Sequence, residues 1–177
     1  MKKFLFPLLS FILLSAAFAQ AQNTVSHSAI SFKFKNLGVT ADGTIGGLQA
    51  TVHFNPANMA QATIDASADV ATINTDNSLR DDHLKSDEFL DVAHYGKILL
   101  KSVAIVHKSG DKYTGQFNLT IKNKTKLVQI PFTYTAKGDL QTFKGSFKIN
   151  RLDYGIGGSS LTLSDEVTIT IEAEIRD

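Results

Sequence analysis

The feature of this sequence that most limits its fold is a regular alternation of apolar and polar residues. In VTITIEAEI, residues 167–175, every second side chain is valine, isoleucine or alanine, and the others are threonine or glutamate. The same period of two recurs in segments that begin near residues 29, 62, 113, 128 and 143. Such alternation is typical of β-strands with one buried and one exposed face. With two less regular segments, 43–56 and 97–107, it predicts about eight strands.

Short turn sequences between the later strands predict how the strands are arranged. KSGDK, KNKT and AKGD are rich in the residues that form tight hairpins. Consecutive hairpins give an up-and-down meander, and closing a meander of one-sided strands buries its apolar face and removes its exposed edges. The sequence therefore predicts an all-β fold, an eight-stranded antiparallel up-and-down barrel.

Two positions are predicted to disturb the regularity of this barrel. The segment 43–56 begins GTIGG, and glycines within a strand favour a bend or a β-bulge. Pro131 lies in the middle of a predicted strand, and it has no N–H group to donate to a neighbouring strand. We expect a bulge or an unpaired stretch there.

The one long interruption of the alternation, between Ile73 and Lys97, predicts a short helical insertion after the third strand. Asn77 or Ser78 can cap a first helix, and Ser78 to Asp81 has the S-x-x-D form of a capping box. Ser86 can cap a second helix in the same way. Helix initiation thus accounts for most of the charged residues in this segment.

The first 21 residues have the order of a secretory signal peptide. The basic start MKK precedes the apolar run FLFPLLSFILLSAAFA, which is shorter than the ~20 residues of a membrane-spanning helix. Small-x-small steps allow cleavage after Ala19 or Ala21. Residues 22–177 are then expected to form one exported domain, located in the periplasm or outside the cell.

Composition and charge argue against several classes of function. The chain contains no cysteine, which excludes disulfides, thiol nucleophiles and thiolate metal sites. Its formal net charge of +1 is spread evenly, so the basic surface expected of a nucleic-acid-binding protein is missing. After the initial apolar run, no segment approaches the length of a membrane span.

Metal binding and catalysis are the alternatives that the insertion raises. It contains residue types that ligate metals, but no HExxH motif, and His83 and Asp87 form its only i, i+4 pair that includes a histidine. The chain also has no G-x-S-x-G motif for a nucleophilic serine. We therefore predict no metal site and no catalytic residue. A metal- or carboxylate-dependent hydrolase of lipid-like substrates remains the alternative within the enzyme class.

The interior of the predicted barrel is the remaining candidate for a function. Eight strands enclose a space that side chains either just fill or leave open for one small ligand. Filling it would give a solid-cored interaction module, whereas the mixture of large and small inward residues also suits a slot for a hydrocarbon chain. The residues predicted to line this apolar slot are Phe32, Phe34, Ile64, Leu84, Phe89, Phe117, Phe132, Phe147, Ile149 and Ile169.

Four segments together resemble one known family. SAISFKFKNLG, TDNSLRDDHLKSDEFLDV, NLTIKNKTKLVQIP and FKINRLDYGIG followed by SDEVTITIEAE occur in this order over about Ser26 to Ile175. They are similar to segments of the YceI-like family, also called the polyisoprenoid-binding family. The R-D-x-H-L and N-R-x-D-[FY]-G motifs are the most specific parts of the resemblance when they occur together.

The resemblance implies a lipocalin-like barrel of bacterial origin, periplasmic or secreted, that holds an isoprenoid or similar amphiphile and catalyses no reaction. The expected ligand is an isoprenoid quinone, a polyprenyl compound or another amphiphile, with no other cofactor. A homodimer is compatible with the sequence. We predict that polar residues of the two motifs hold the insertion over the barrel as a lid or meet the ligand's head group. These residues are Arg80, Asp81, His83, Arg151 and Asp153. Arg151 and Asp153, from the second motif, are expected to pair with the three residues of the first.

The first prediction concerns the start of the exported chain. The two small-x-small steps predict that the mature protein begins at Gln20 or Gln22. Intact-mass measurement of the protein from the envelope or medium of its native host checks this, and a mass that corresponds to residues 1–177 would contradict it.

Overall fold

The computed structural model describes residues 24–176, which form a single closed β-sheet. Each strand pairs antiparallel with its neighbour in sequence, and the first pairs with the last, so that eight strands form an up-and-down barrel. This confirms the predicted fold class, whereas the predicted signal peptide lies outside the described residues. The strands are β1 Thr24–Asn36, β2 Val39–His53, β3 Thr63–Asn74, β4 Lys97–Ser109, β5 Lys112–Ile121, β6 Lys124–Lys137, β7 Leu140–Asn150 and β8 Glu166–Arg176.

In the part of the chain that the structure describes, helical structure is limited to three short pieces. The α-helix α1 spans Ser78–Lys85, and 3₁₀-helices span Met59–Gln61 and Arg151–Tyr154. Over residues 24–176, none of these is long or apolar enough to cross a membrane. The helix α1 lies between β3 and β4, as the sequence predicted.

The up-and-down order places the connections at two ends of the barrel. One end, here called the lid end, carries the β1–β2 turn, the insertion (residues 75–96), the β5–β6 turn and the return loop (residues 151–165). The other end carries the β2–β3 loop and the β4–β5 and β6–β7 turns. The insertion and the return loop are together called the lid.

The alternation in the sequence corresponds to inward and outward faces of the strands. In β5, Phe117, Leu119 and Ile121 point inward and are each 3% exposed, while Gln116 and Asn118 between them are exposed. Burial of each of these three side chains contributes roughly 1.5–3 kcal/mol relative to leaving it in water. The one-sided strands therefore supply the main driving force for closing the barrel.

The two predicted irregularities are both present. The β2–β3 register shifts on either side of Gly46, whose N–H donates to Thr72 Oγ1 at 2.7 Å. The β5–β6 ladder continues through Pro131, but the β6–β7 ladder ends at the pair Phe132 and Gly145. The unpaired stretch therefore lies on the β7 side alone, because that is where the missing N–H of proline would have been needed.

The β1–β2 turn contains a leucine where this residue type is unusual. Asn36 pairs with Val39, and both residues between them have positive φ, 52° for Leu37 and 79° for Gly38. Two-residue turns of this type favour Asn-Gly, and a left-handed conformation costs an ordinary residue roughly 1–2 kcal/mol. Leucine at position 37 thus lowers the stability of the hairpin.

The cap of α1 differs in part from the prediction. The side chain of Asn77, one of the two predicted caps, accepts a hydrogen bond from Arg80 N at 3.0 Å. Because the helix begins one residue earlier than the capping box requires, Asp81 does not complete that motif. Its carboxylate instead accepts hydrogen bonds from the N–H and hydroxyl of Thr75, at 2.9 and 2.6 Å. This contact ties α1 to the end of β3.

The predicted second helix, beginning at Ser86, is wrong. Residues 86–95 form consecutive turns, in which Leu90 N donates to Leu84 O and Asp91 has a φ of 49°. Phe89 and Leu90 are both buried. A regular helix would place successive residues 100° apart, so turns are better suited to burying two adjacent side chains.

Arg151 organises the return loop and is only 2% exposed. Its guanidinium group donates to the carbonyl oxygens of Ser164, Ile156, Gly158 and Leu163 at 2.8–3.3 Å, and to Asp165 Oδ1 at 2.9 Å. These contacts engage all five N–H donors of an arginine. The buried charge is therefore fully paired, and it holds the return loop in one conformation.

The expected pairing between the two motifs is therefore wrong. Arg151 pairs with Asp165, while Arg80 donates to the hydroxyl and carbonyl oxygens of Thr75, at 2.8 and 2.6 Å. Each arginine is bonded within its own segment, because neighbouring carbonyl groups reach its donors without bringing another buried charge into the site. Asp153 is exposed, and the donors of Arg151 are all used by other groups.

We predict that Arg151→Met destabilises the protein strongly, because it leaves buried carbonyl groups without donors. The free energy of unfolding should fall by roughly 3–5 kcal/mol in urea denaturation. The matched control is Arg176→Met, since Arg176 is 58% exposed and reaches Asp139 only at 4.0 Å. The control should change stability by less than about 1 kcal/mol. Equal losses in the two variants would contradict the role given to Arg151.

Candidate ligand-binding site

The barrel encloses a cavity of about 230 Å³. A single water molecule needs only ~10–15 Å³ on the same scale, so the space is large enough for a substantial ligand. Aliphatic and aromatic side chains from the strands and the lid form almost all of its wall. A cavity with such walls holds no partner for the hydrogen bonds of water, and it favours an apolar guest.

Small side chains opposite each other explain why the interior is not filled. Ala50 of β2 pairs directly with Ala66 of β3, which in turn pairs with Leu100 of β4, and all three line the cavity. Inward residues on this side, such as Ile45 and Ile64, are only half-buried. They would be buried as fully as the inward residues of β5 if side chains filled the space in front of them.

An aromatic cluster closes the end of the cavity opposite the lid. Phe54, just after β2, is its centre: its ring centroid lies 4.5 Å from that of Tyr134, 5.1 Å from Tyr113 and 5.3 Å from Phe143. Phe132 completes the group at 6.0 Å. We call this the aromatic end. Phe54 was not among the predicted site residues, although the alternation of β2, continued two residues beyond the inward Val52, indicates it.

The lid closes the other end through contacts between its two segments. Gly157 N of the return loop donates to Glu88 O of the insertion at 2.9 Å. A side chain at Gly157 would lie 3.0 Å from the ring of Phe89, so glycine permits this close approach. Lys122, from the β5–β6 turn, donates to Asp87 O at 3.1 Å and to Gly155 O at 3.3 Å. The lid is thus fastened to itself and to the barrel by polar contacts on its outer side.

The structure places every residue of the predicted apolar slot in the cavity wall, and their contact with a ligand remains a prediction. Leu84 and Phe89 belong to the insertion, while the others are inward residues of the strands. Residues of the wall that the sequence-based set omitted include Leu90, Ile156 and Leu163 of the lid, and Ile30, Ile45, Leu48, Leu100 and Ile171 of the strands.

The predicted polar residues take different positions. Arg80 faces a polar hollow between α1 and the β1–β2 hairpin, which Asp42 and Asp76 also line. His83 is exposed, with Nε2 3.5 Å from Glu88 Oε2 and its ring against that of Phe89. Arg151 lines the cavity, but its donors are all used by the return loop. Of the two arginines, only Arg80 has donors left for a ligand's head group.

Tyr154 is a buried phenol beside the cavity wall. Burial, with a smaller contribution from the charge of Asp153, raises the pKa of Tyr154 to about 12. Its hydroxyl has no hydrogen-bond partner among the described residues. The group therefore stays protonated at neutral pH, and it packs as part of the apolar core with Ile121 and Ile149.

No histidine, aspartate or glutamate of residues 24–176 lines the cavity, and the amino group of Lys144, which is in the lining, pairs with Glu172 at 2.7 Å. Over residues 24–176, no group of three or more His, Cys, Asp and Glu side chains is arranged to hold a metal ion. The two histidines of the insertion have separate partners, since His94 contacts Asp91 at 2.7 Å and His83 contacts Glu88. The wall of the cavity is suited to contact with an apolar molecule.

Comparison with known proteins agrees with this architecture over most of the chain. The family model of the YceI-like domain matches residues 22–175. A UPF0312 protein of Pseudomonas syringae pv. tomato is 32% identical over 174 residues, which cover 88% of this chain and 89% of the relative. A UPF0312 protein of Vibrio cholerae is 25% identical over 138 residues, which cover 74% of this chain and 73% of the relative.

Solved structures show the same fold. BcnA of Burkholderia cenocepacia superposes with a TM-score of 0.79 at 29% identity, covering 83% of this chain and 95% of BcnA. A domain from Saccharophagus degradans, described as polyisoprenoid-binding, superposes with a TM-score of 0.68 at 12% identity, covering 88% of this chain and 97% of the domain. The second likeness concerns the fold alone. With the family model matching nearly all of the described barrel, the chain belongs to the YceI-like family.

Proposed function

We propose that this protein binds a long-chain amphiphile, an isoprenoid or a similar lipid, inside the barrel and carries, stores or sequesters it unchanged. The observation that carries the proposal is the apolar cavity of about 230 Å³ between the aromatic end and the lid. The described binding activity of the Saccharophagus domain, which shares the fold, supports the same class of ligand. No other cofactor is part of the proposal.

The apolar wall determines which part of the ligand contributes most to binding. Each buried CH₂ group contributes ~0.8 kcal/mol, so a five-carbon isoprene unit contributes a few kcal/mol before the cost of ordering the chain. Affinity should therefore depend mainly on the length of chain that the cavity accepts. Quinones, polyprenyl compounds and other amphiphiles with similar chains are all within this class.

The two ends of the cavity favour one orientation of the ligand. The aromatic end is filled by four rings packed around Phe54, of which Tyr113 and Tyr134 carry hydroxyl groups. The lid end has the polar hollow at Arg80 and access to water. Because a head group loses hydrogen bonds on burial, it should remain at the lid end while the chain tail points toward Phe54.

The site of action proposed for this binding is the periplasm or the medium. The order of basic start, apolar run and small-x-small steps in residues 1–21 supports export. A lipid that leaves its membrane must be shielded from water in such a compartment, and a closed apolar cavity provides that shielding.

The alternatives from other classes receive less support. A solid-cored interaction module does not account for the cavity or for the half-buried inward residues around Ala50 and Ala66. A hydrolase would need polar catalytic groups facing the bound chain, and the side chains of the wall are nearly all apolar. A ligand recovered chemically unchanged after incubation would separate carriage from turnover.

The proposal predicts that Ala66→Phe reduces ligand uptake by about tenfold or more. The added ring would fill the space in front of Ala50 and compete directly with the hydrocarbon chain. The measurement is native mass spectrometry of protein incubated with an isoprenoid alcohol or quinone, with extraction to identify what is bound. Ala104→Phe is the matched control, because Ala104 is exposed on β4 and does not line the cavity.

Two results would contradict the proposal. One is a wild-type protein that takes up no long-chain lipid from solution or from its host. The other is an Ala66→Phe variant that remains folded and takes up as much ligand as Ala104→Phe.

A further inference from the structure

Large apolar side chains are exposed around the lid end, at positions where the fold does not require an apolar residue. They belong to the β1–β2 hairpin, the first turn of α1 and the tip of the return loop. Leu37 N donates to Thr162 O at 2.9 Å, which brings the hairpin against the return loop. We call this set the apolar rim: Leu37, 75% exposed, Val39, 70%, Leu79, 81%, and Leu161, 107%.

The backbone conformation of Leu37 is a second unfavourable feature of the rim, beside its exposure to solvent. Among the described residues, four non-glycine residues have positive φ, and Leu37 is the only apolar one beside Asp76, Asp91 and Lys122. Asparagine would be favoured before Gly38 in a turn of this type, and it would also suit the exposed position. Leucine at position 37 is thus unfavourable both for the backbone and for solvation, which indicates selection for contact with something outside the chain.

Charges around the rim indicate what kind of surface it fits. Three of the four rim side chains lie in residues 36–41 and 157–164. Neither of these segments contains a charged residue. Both segments can therefore be removed from water without the free-energy cost of dehydrating a charged side chain. The insertion beside them carries six acidic and two basic residues, and Lys122 and Lys124 at the β5–β6 turn offset this excess only in part. A negatively charged surface would therefore be repelled.

We infer that the apolar rim inserts into the interface of a zwitterionic lipid bilayer and sets the lid end of the barrel against the membrane. The rim side chains stand on three separate segments rather than on one flat face. A fluid bilayer accommodates separate apolar tips without a matching shape, whereas a protein partner would need complementary pockets. Docking in this orientation would bring the lid to the source of the ligand, so that a hydrocarbon chain avoids bulk water during transfer.

This inference deepens the proposed lipid-carrying function and rests on it for its purpose. The two can be tested separately, because the rim residues lie outside the cavity wall. Uptake of an isoprenoid alcohol from detergent solution reports on the cavity alone. Binding to vesicles reports on the rim alone.

The test is flotation of the mature protein with phosphatidylcholine vesicles. The test variant is Leu37→Asn combined with Leu161→Ser, in which asparagine should keep or improve the β1–β2 turn. The matched control is Val106→Ser, since Val106 is 52% exposed on β4, near the end of the barrel opposite the lid. We expect the wild type and the control to float with the vesicles, and the rim variant to lose about tenfold or more in partitioning.

Further outcomes decide between the alternatives. Adding phosphatidylglycerol to the vesicles should weaken binding, and detergent-based uptake by the rim variant should match that of the wild type. Failure of the wild type to bind phosphatidylcholine vesicles, or an equal loss in Val106→Ser, overturns the inference and leaves the rim as a protein-docking surface. Failure of uptake in the wild type would instead contradict the proposed function.

Discussion

The pairing of β1 with β8 is the interaction on which the rest of this structure depends. It joins residues Thr24–Lys33 to Thr168–Arg176 and converts a meander with two open edges into a closed wall. Only a closed wall satisfies every backbone group at the seam and keeps water from the inward side chains at once. The dry cavity, the contrast between its two ends and the need for a lid all follow from this closure.

Closure creates an interior, but side-chain volume decides whether it is empty. Around β5, large inward residues pack against each other, whereas around β2 and β3 two alanines face each other in register. Residues of all eight strands line the cavity, and the two alanines leave room for it on the β2–β3 side. Native cores are usually packed nearly as densely as organic crystals, so a void of this size is maintained at a cost in stability. Such a cost is common where a site must receive a ligand.

The charged residues that look most like an active site serve the lid. Asp81 and Arg80 fasten α1 to Thr75, and Arg151 holds the return loop through its carbonyl groups. Their hydrogen bonds are directed away from the apolar cavity, where a charge would be costly. With this division of polar contacts outside and apolar contacts inside, the lid is fastened while the wall of the cavity stays almost entirely apolar.

The sequence by itself determined the features that depend on neighbouring residues along the chain. The period of two defined the strands and their inward faces, tight turns defined their order, and Pro131 and the glycines near Gly46 located the irregular pairings. The resemblance added the family and the class of ligand. The tertiary structure alone decided that Ala50 would face Ala66, that Arg151 would pair with Asp165, and that exposed leucines of three segments would lie at one end of the barrel. These contacts join residues far apart in the chain, and their energies depend on barrel register and loop geometry, which local patterns do not encode.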